Sequence, residues 1–231
     1  MPKTQMCKDS LHVCRNASFL PWQRRLVKCS AMGKVNEMAL MESVGNGDEG
    51  AMKYLKDCYQ DLISRIAFRI LCDRKDSSAV VQELFDYVRN DARSFDGSLS
   101  LRNWLLSNTC RYARLRIVRR RIMYIFGQRP DLYVTTSPKV QDFDDYVTTQ
   151  AWEMYCRIAV DFNVNQRTLF ALCTLEGISE YEASLITGVS GRRICSLLDD
   201  AEDKFRKELG RYGKQDEYYS YVGFLRKVAE G

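Results

Sequence analysis

From Ala51 to Ile70 the apolar residues Ala51, Tyr54, Leu55, Cys58, Leu62, Ile66 and Ile70 recur mostly at steps of three and four. A period of about 3.6 places them on one stripe of an amphipathic helix and excludes a strand. Such a stripe needs partner helices, and the following sequence supplies them. A second helix is predicted from about Asp76, with Val80, Val81, Leu84, Phe85 and Val88 inward and Gln82, Glu83 and Asp86 on its polar side. After a short loop, Ser94 to Ser98, a third helix carries Leu101, Trp104, Leu105, Tyr112 and Leu115 as its apolar stripe. Three helices of this kind make a small bundle, and the expected fold is all-α.

Residues 127–150 break the periodicity with Pro130, Pro138 and the acids Asp142, Asp144 and Asp145, and are predicted to be a flexible linker. A second helical unit follows, first with Trp152, Met154, Tyr155, Ile158 and Phe162, then with Gln166 to Leu175, closed by Gly177 in a left-handed cap. Ser179-Glu180-Tyr181-Glu182 has the capping-box pattern and opens a short helix that stops at Gly188. Ser190 is placed to cap a last helix with Ile194, Leu197, Leu198, Ala201, Phe205 and Leu209 inward. Helix, glycine turn, capped helix is the helix-turn-helix layout. The expected organisation is an extension over 1–37, a first domain over 38–126, a linker over 127–150, a second domain over 151–211 and an aromatic tail over 212–231. That tail, with Tyr212, Tyr218, Tyr219, Tyr221 and Phe224, suits either a partner surface or a helix packed back on its own domain.

Composition narrows the chemistry. No run in the 231 residues is long and apolar enough for membrane insertion, and residues 1–37 lack a secretory apolar core. The single histidine, His12, leaves general-base, triad and zinc chemistry without its usual residue. Nine cysteines, odd in number and with no CxxC pair, read as reduced thiols of a cytoplasmic protein, and Cys58, Cys72, Cys110 and Cys173 fall inside helical patterns as core. Cys7, His12, Cys14 and Cys29 match no zinc-knuckle spacing, so neither metal nor cofactor is implied. The linker acids sit on no rigid element, and an enzyme is not expected. In contrast, residues 111–129 hold seven arginines and no acid, with Tyr112, Tyr124 and Phe126 available to stack, which is a nucleic-acid footprint.

Several short motifs fall in one family's order. They are Gly47-Asp48-Glu49-Gly50-Ala51-Met52, Val81-Gln82-Glu83-Leu84-Phe85, Phe95-Asp96-Gly97 and Leu101-Arg102-Asn103-Trp104-Leu105, then Asn165-Gln166-Arg167, Leu175-Glu176-Gly177-Ile178-Ser179 and Gly188-Val189-Ser190. On these residues the chain resembles the sigma-70 family of bacterial RNA polymerase initiation factors, in its short extracytoplasmic-function group. The segment from Gly47 to Arg116 is similar to sigma region two, a bundle of three to four helices, and that from Asn165 to Leu209 to the helix-turn-helix of region four.

The resemblance implies partners and roles. Gln82, Glu83, Phe85 and Asp86 would grip the coiled coil of the largest catalytic subunit of core RNA polymerase, whose flap is the further partner. Ser94, Phe95, Asp96 and Gly97 would hold a base flipped from the promoter's minus-ten element. Arg102, Asn108, Arg111, Arg114, Arg116, Arg119 and Arg120 would contact the minus-ten strand and duplex phosphates, with Trp104 as core. The acidic linker would thread the polymerase cleft, and an anti-sigma protein would be the restraint such factors meet. In region four, Ser190, Arg192, Arg193 and Ser196 would meet DNA or a partner.

That last helix departs from the family pattern. From Glu176 to Asp203 there are seven acids against two bases, and Asp199, Asp200 and Asp203 fall in the later turns of the recognition helix, where the family faces DNA. Region four is therefore expected to read a minus-35 element weakly or not at all and to dock on protein, either polymerase or a DNA-bound activator or RNA-guided effector. The alternative is a free-standing helix-turn-helix regulator, which needs a dimer interface and a basic recognition helix.

Overall fold

The computed structural model describes residues 34–125 and 143–227, and among them the chain forms helices and no strand. The first group is α1 (Lys34–Gly45), α2 (Glu49–Leu71), α3 (Arg74–Asn90), a 3-10 turn at Ala92–Ser94 and α4 (Leu101–Ile125). The second is α5 (Phe143–Asp161), α6 (Val164–Leu169) with a π-helical continuation over Phe170–Leu175, α7 (Glu180–Thr187), α8 (Gly191–Gly210), a 3-10 turn at Gln215–Glu217 and α9 (Tyr218–Lys227). The expected all-α class is what is found.

Caps set the helix boundaries. The Asp48 carboxylate accepts from the backbone N–H of Gly50 at 2.8 Å and of Ala51 at 3.2 Å, and Asp73 accepts from Asp76 N–H at 2.7 Å. Asn163 and Gln166 form a reciprocal capping box on α6 that the sequence reading missed, while Ser179 makes only half of the expected one, accepting from Glu182 N–H at 3.2 Å. Ser190 stands at the N-cap of α8 but its side chain makes no cap bond; its carbonyl instead takes the N–H groups of Arg193 and Ile194. Gly177 and Gly188 both adopt φ +71°, as their cap positions require. A Cβ at Gly188 would meet no atom within 4 Å, so Gly188→Ala is expected to cost about 1 kcal/mol through backbone strain alone, measurable by urea unfolding.

Three sequence expectations are corrected. The linker does not extend to 150, because α5 begins at Phe143: Phe143, Val147, Ala151, Tyr155 and Ile158 continue a helical spacing that the aspartates and threonines masked. Leu115 is 58% exposed and lies outside the stripe of α4, whose inner side is carried by Leu106, Cys110, Ala113 and Ile117. Cys58, expected as a reduced thiol, is half-buried at the edge of its stripe and disulfide-bonded, whereas Cys72, Cys110, Cys156, Cys173 and Cys195 are free. The tail resolves toward the packed alternative: Tyr218, Tyr221, Val222 and Leu225 of α9 are buried in the second unit's core.

Burial explains how the units stand. In the first, Leu55, Ile63, Leu84, Val88, Leu101 and Leu105 pack together, and Trp104 lies in the core between Tyr87 and Phe95, with ring centroids 6.0 and 5.6 Å away. In the second, Tyr155, Phe170 and Phe205 stack in series, with ring centroids 5.7 and 6.0 Å apart. A third apolar cluster joins the units: Ile66, Ile70, Leu106, Ala113 and Ile117 of α2 and α4 meet Leu169, Leu172, Ile178, Ala183 and Ile186. Within this seam the Glu176 carboxylate accepts from Arg65 Nε at 2.9 Å and from Arg69 Nη1 at 2.6 Å.

Candidate nucleic-acid interface

The loop after Ala92–Ser94 and the outer face of α4 form one surface. Tyr87 on α3 and Ser94 share a hydrogen bond at 2.8 Å between their hydroxyls. The Arg111 guanidinium lies 5.4 Å from the Tyr87 ring centroid and 5.1 Å from that of Tyr112. Asp96 is exposed and accepts from Ser98 N–H at 2.9 Å, and the Ser98 hydroxyl, then that backbone bond, hold its carboxyl below the usual range, so the loop keeps a negative charge. Gly97 supplies φ +72° for the turn. Phe95 does not belong to the surface: it is buried against Trp104, and of the four residues expected there Ser94, Asp96 and Gly97 remain to present the loop.

Along α4 the solvent side carries Asn108, Arg111, Leu115, Val118, Arg119 and Ile122 in successive turns, although Asn108 Nδ2 also donates to Trp104 O at 3.0 Å. The other arginines point to the flanks. Arg116 pairs with Asp76 at 3.1 Å and with Glu83, and Arg120 pairs with Asp73 at 3.0 Å and with Asp76. On the opposite flank Arg114 donates to Asn165 Oδ1 at 2.8 Å, Arg121 to Phe162 O at 2.9 Å, and Arg102 to Glu182 at 3.3 Å. Helical spacing separates exposed Arg111 and Arg119 from these engaged groups, a division that a count of arginines does not reveal. The interleaved Leu115, Val118 and Ile122 are an apolar component that the sequence reading had turned inward or passed over.

On α3, Gln82, Glu83 and Asp86 are exposed as expected, but Phe85 is buried in the first unit's core with the Lys56 ammonium 5.4 Å from its ring centroid. It lies beside Leu84 on the inward stripe that helical spacing predicts, so a contact role there passes to the three polar residues.

The helix-turn-helix leaves Ser190, Arg192, Arg193 and Ser196 exposed at the start of α8. The acid excess is redistributed. Glu176 is buried with two arginines, Glu182 pairs with Arg102 and Glu202 with Arg206 at 2.7 Å. Glu180, Asp199, Asp200 and Asp203 remain as the exposed acidic side. Partial burial, then Asp203, Asp200 and Glu180, push the Asp199 carboxyl above the usual range, a sign of one continuous anionic patch. Tyr181 and Leu185 on α7 are exposed beside it.

Cys7, His12, Cys14, Cys29, Phe126, Arg129 and Asp142 lie outside the described residues, as do the side chains of Tyr124, Asp144 and Asp145. No helix among the described residues is long and apolar enough to cross a membrane. A scan against protein-family models finds no matching family, and a search of curated proteins finds no significant match.

Proposed function

We propose that this chain is a bacterial transcription initiation factor that works in the cytoplasm, binds core RNA polymerase through α3 and engages the minus-ten strand with the Ser94–Gly97 loop and the outer face of α4. The observation that carries the reading is the continuity from Ser94 through Tyr87 to Arg111 and Tyr112, which sets a tight, glycine-containing loop beside a stacking and cationic surface. A flipped base can enter the loop while its neighbours lie on aromatic and aliphatic side chains and Arg111 and Arg119 neutralise phosphates. The chain itself performs no chemistry, and polymerase supplies it. The anionic side of α8 with Tyr181 and Leu185 favours a protein partner for the second unit over a minus-35 duplex, since carboxylates facing phosphates repel.

The reading is tested by mixing the chain with core RNA polymerase on fragmented genomic DNA and mapping RNA starts after size exclusion. Discrete starts with a shared minus-ten sequence are expected, while failure to form a complex would transfer the case to the free-standing regulator. Arg111→Ala and Arg119→Ala are each expected to lower the salt slope of promoter-complex formation by about 1. Arg120→Ala, whose guanidinium is held by Asp73 and Asp76, should change it less.

A further inference from the structure

α4 is apolar on two opposite sides. One side, with Leu106, Cys110, Ala113 and Ile117, is buried in the seam and is explained by folding. The other carries Leu115, Val118, Ile122 and Ile125, which are 58%, 43%, 49% and 76% exposed. Spaced by three, four and three residues, they gather into an arc of about 80° that faces away from the seam. Four aliphatic side chains on one continuous stripe differ from the scattered apolar residues of an ordinary surface and mark a place of contact.

Positive charge surrounds the stripe, and α4 contains no acidic residue. By the same helical geometry Arg119 lies on one margin of the arc, Arg114 and Arg121 on the other, and Arg111 at its start. Among the described residues no carboxylate pairs with any of these four. Arg114 donates to the side-chain amide oxygen of Asn165 and Arg121 to the Phe162 carbonyl, while Arg111 stands over Tyr87 and Tyr112, so their charges persist. Arg116 and Arg120, which do meet carboxylates, lie further round the helix.

An aliphatic stripe between un-neutralised arginines is the arrangement of a helix that lies in the surface of an anionic bilayer. The aliphatic side chains enter the headgroup boundary, and the arginines reach along it to lipid phosphates. Lying on a membrane is a different demand from crossing one, because it needs a single face rather than a long apolar run. Nucleic acid accounts for the first part of this surface, where Tyr87, Tyr112 and Arg111 gather, but not for its end. Ile122 lies about 15 Å further along the axis than Tyr112, and phosphates gain nothing from aliphatic neighbours. A second copy of the chain would set arginines against arginines.

We infer that the outer face of α4, from Leu115 to Ile125, is a docking surface for anionic phospholipid bilayers. Charge selects the membrane and the stripe anchors the helix in it. Where α4 also engages the minus-ten strand, as proposed above, lipid and promoter compete for Arg111 and Arg119, and the membrane-held chain is withdrawn from transcription.

The test floats the full chain on vesicles of equal parts phosphatidylglycerol and phosphatidylcholine at low salt, beside vesicles of phosphatidylcholine alone. Binding to the anionic vesicles is expected to be at least about tenfold tighter and to weaken as salt rises. Ile122→Ser combined with Ile125→Ser should lower that binding at least about tenfold. Both positions are exposed, so circular dichroism should show unchanged helix content. Ile122→Trp adds a reporter whose emission should shift to the blue on binding and be quenched by brominated acyl chains. Absence of binding to anionic vesicles, equal binding by the double serine variant, or a reporter that binds without shifting overturns the inference. A dimer in size exclusion that the two serines dissolve assigns the stripe to a second copy and overturns it too. So does a double serine variant that loses promoter affinity while keeping its affinity for vesicles, which gives the stripe to nucleic acid. Vesicle binding requires neither polymerase nor promoter, so it stands if the transcription reading fails, and discrete RNA starts without vesicle binding uphold that reading while overturning this one.

Discussion

Glu176→Ala is expected to lower unfolding free energy by about 3–5 kcal/mol, one of the largest losses available to a single surface-neutral change in this chain. The carboxylate is 1% exposed and its Oε1 takes hydrogen bonds from Arg65 and Arg69, whose side chains are 8% and 3% exposed. Burial pulls the Arg69 guanidinium below its ordinary range and Glu176 opposes that pull, so without the carboxylate a cation remains in an apolar seam with little to balance it. Arg69 keeps one further acceptor, Arg226 O at 2.8 Å, which moderates the loss without removing it. For a chain of this size the change corresponds to a fall in Tm of roughly 10 °C. Replacing the carboxylate and both guanidinium groups together by apolar side chains of similar volume should recover most of the loss, because no buried charge is then left unpaired. A loss below about 1 kcal/mol for Glu176→Ala in urea unfolding would show that the seam opens and lets water solvate the arginines.

This same residue marks where sequence reading reaches its limit. Helix periodicity was enough to give α2, α3, α4 and α8 and the turns at Gly177 and Gly188, because each depends on local spacing or on one residue's backbone freedom. Glu176 counted in the sequence as one more acid in the excess over 176–203, and only the packing of the π-helical turn against α2 reveals a buried counter-ion. The site residues divide by the same logic. Gln82, Glu83 and Asp86 were legible as a polar face, since one helix decides them. The inward side of Phe85 was legible from helical spacing, which the family resemblance overrode by giving it a contact role; Phe95 was not, because a hydrophobic residue in a loop motif can serve either the surface or the core until the neighbouring helices are in place. Likewise the arginines of α4 are a single charge run in sequence, whereas two helix flanks divert Arg114, Arg116 and Arg120 into internal partners.

Glu83→Arg is expected to reduce affinity for core RNA polymerase by at least about 100-fold while leaving the fold intact. The residue is exposed on α3 between Gln82 and Asp86, and a like charge set against a cationic partner surface costs several kcal/mol, against about 2.7 kcal/mol for each hundredfold in affinity. Within the chain the cost is small. Glu83 pairs with Arg116, but its side chain is 46% exposed, and solvent screens both that pair and the repulsion that would replace it. Arg116 also retains Asp76 at 3.1 Å. The exchange Glu83→Arg with Arg116→Glu separates the two roles: it restores an ion pair between α3 and α4 but leaves the reversed charge facing outward. If α3 is the polymerase surface, the double variant binds as poorly as the single one; recovery of binding in the double variant would mean that Glu83 serves only to hold Arg116, and the docking face would have to be sought elsewhere. Size-exclusion chromatography with labelled polymerase reads the complex directly, and circular dichroism at matched temperature verifies that all three proteins are equally folded.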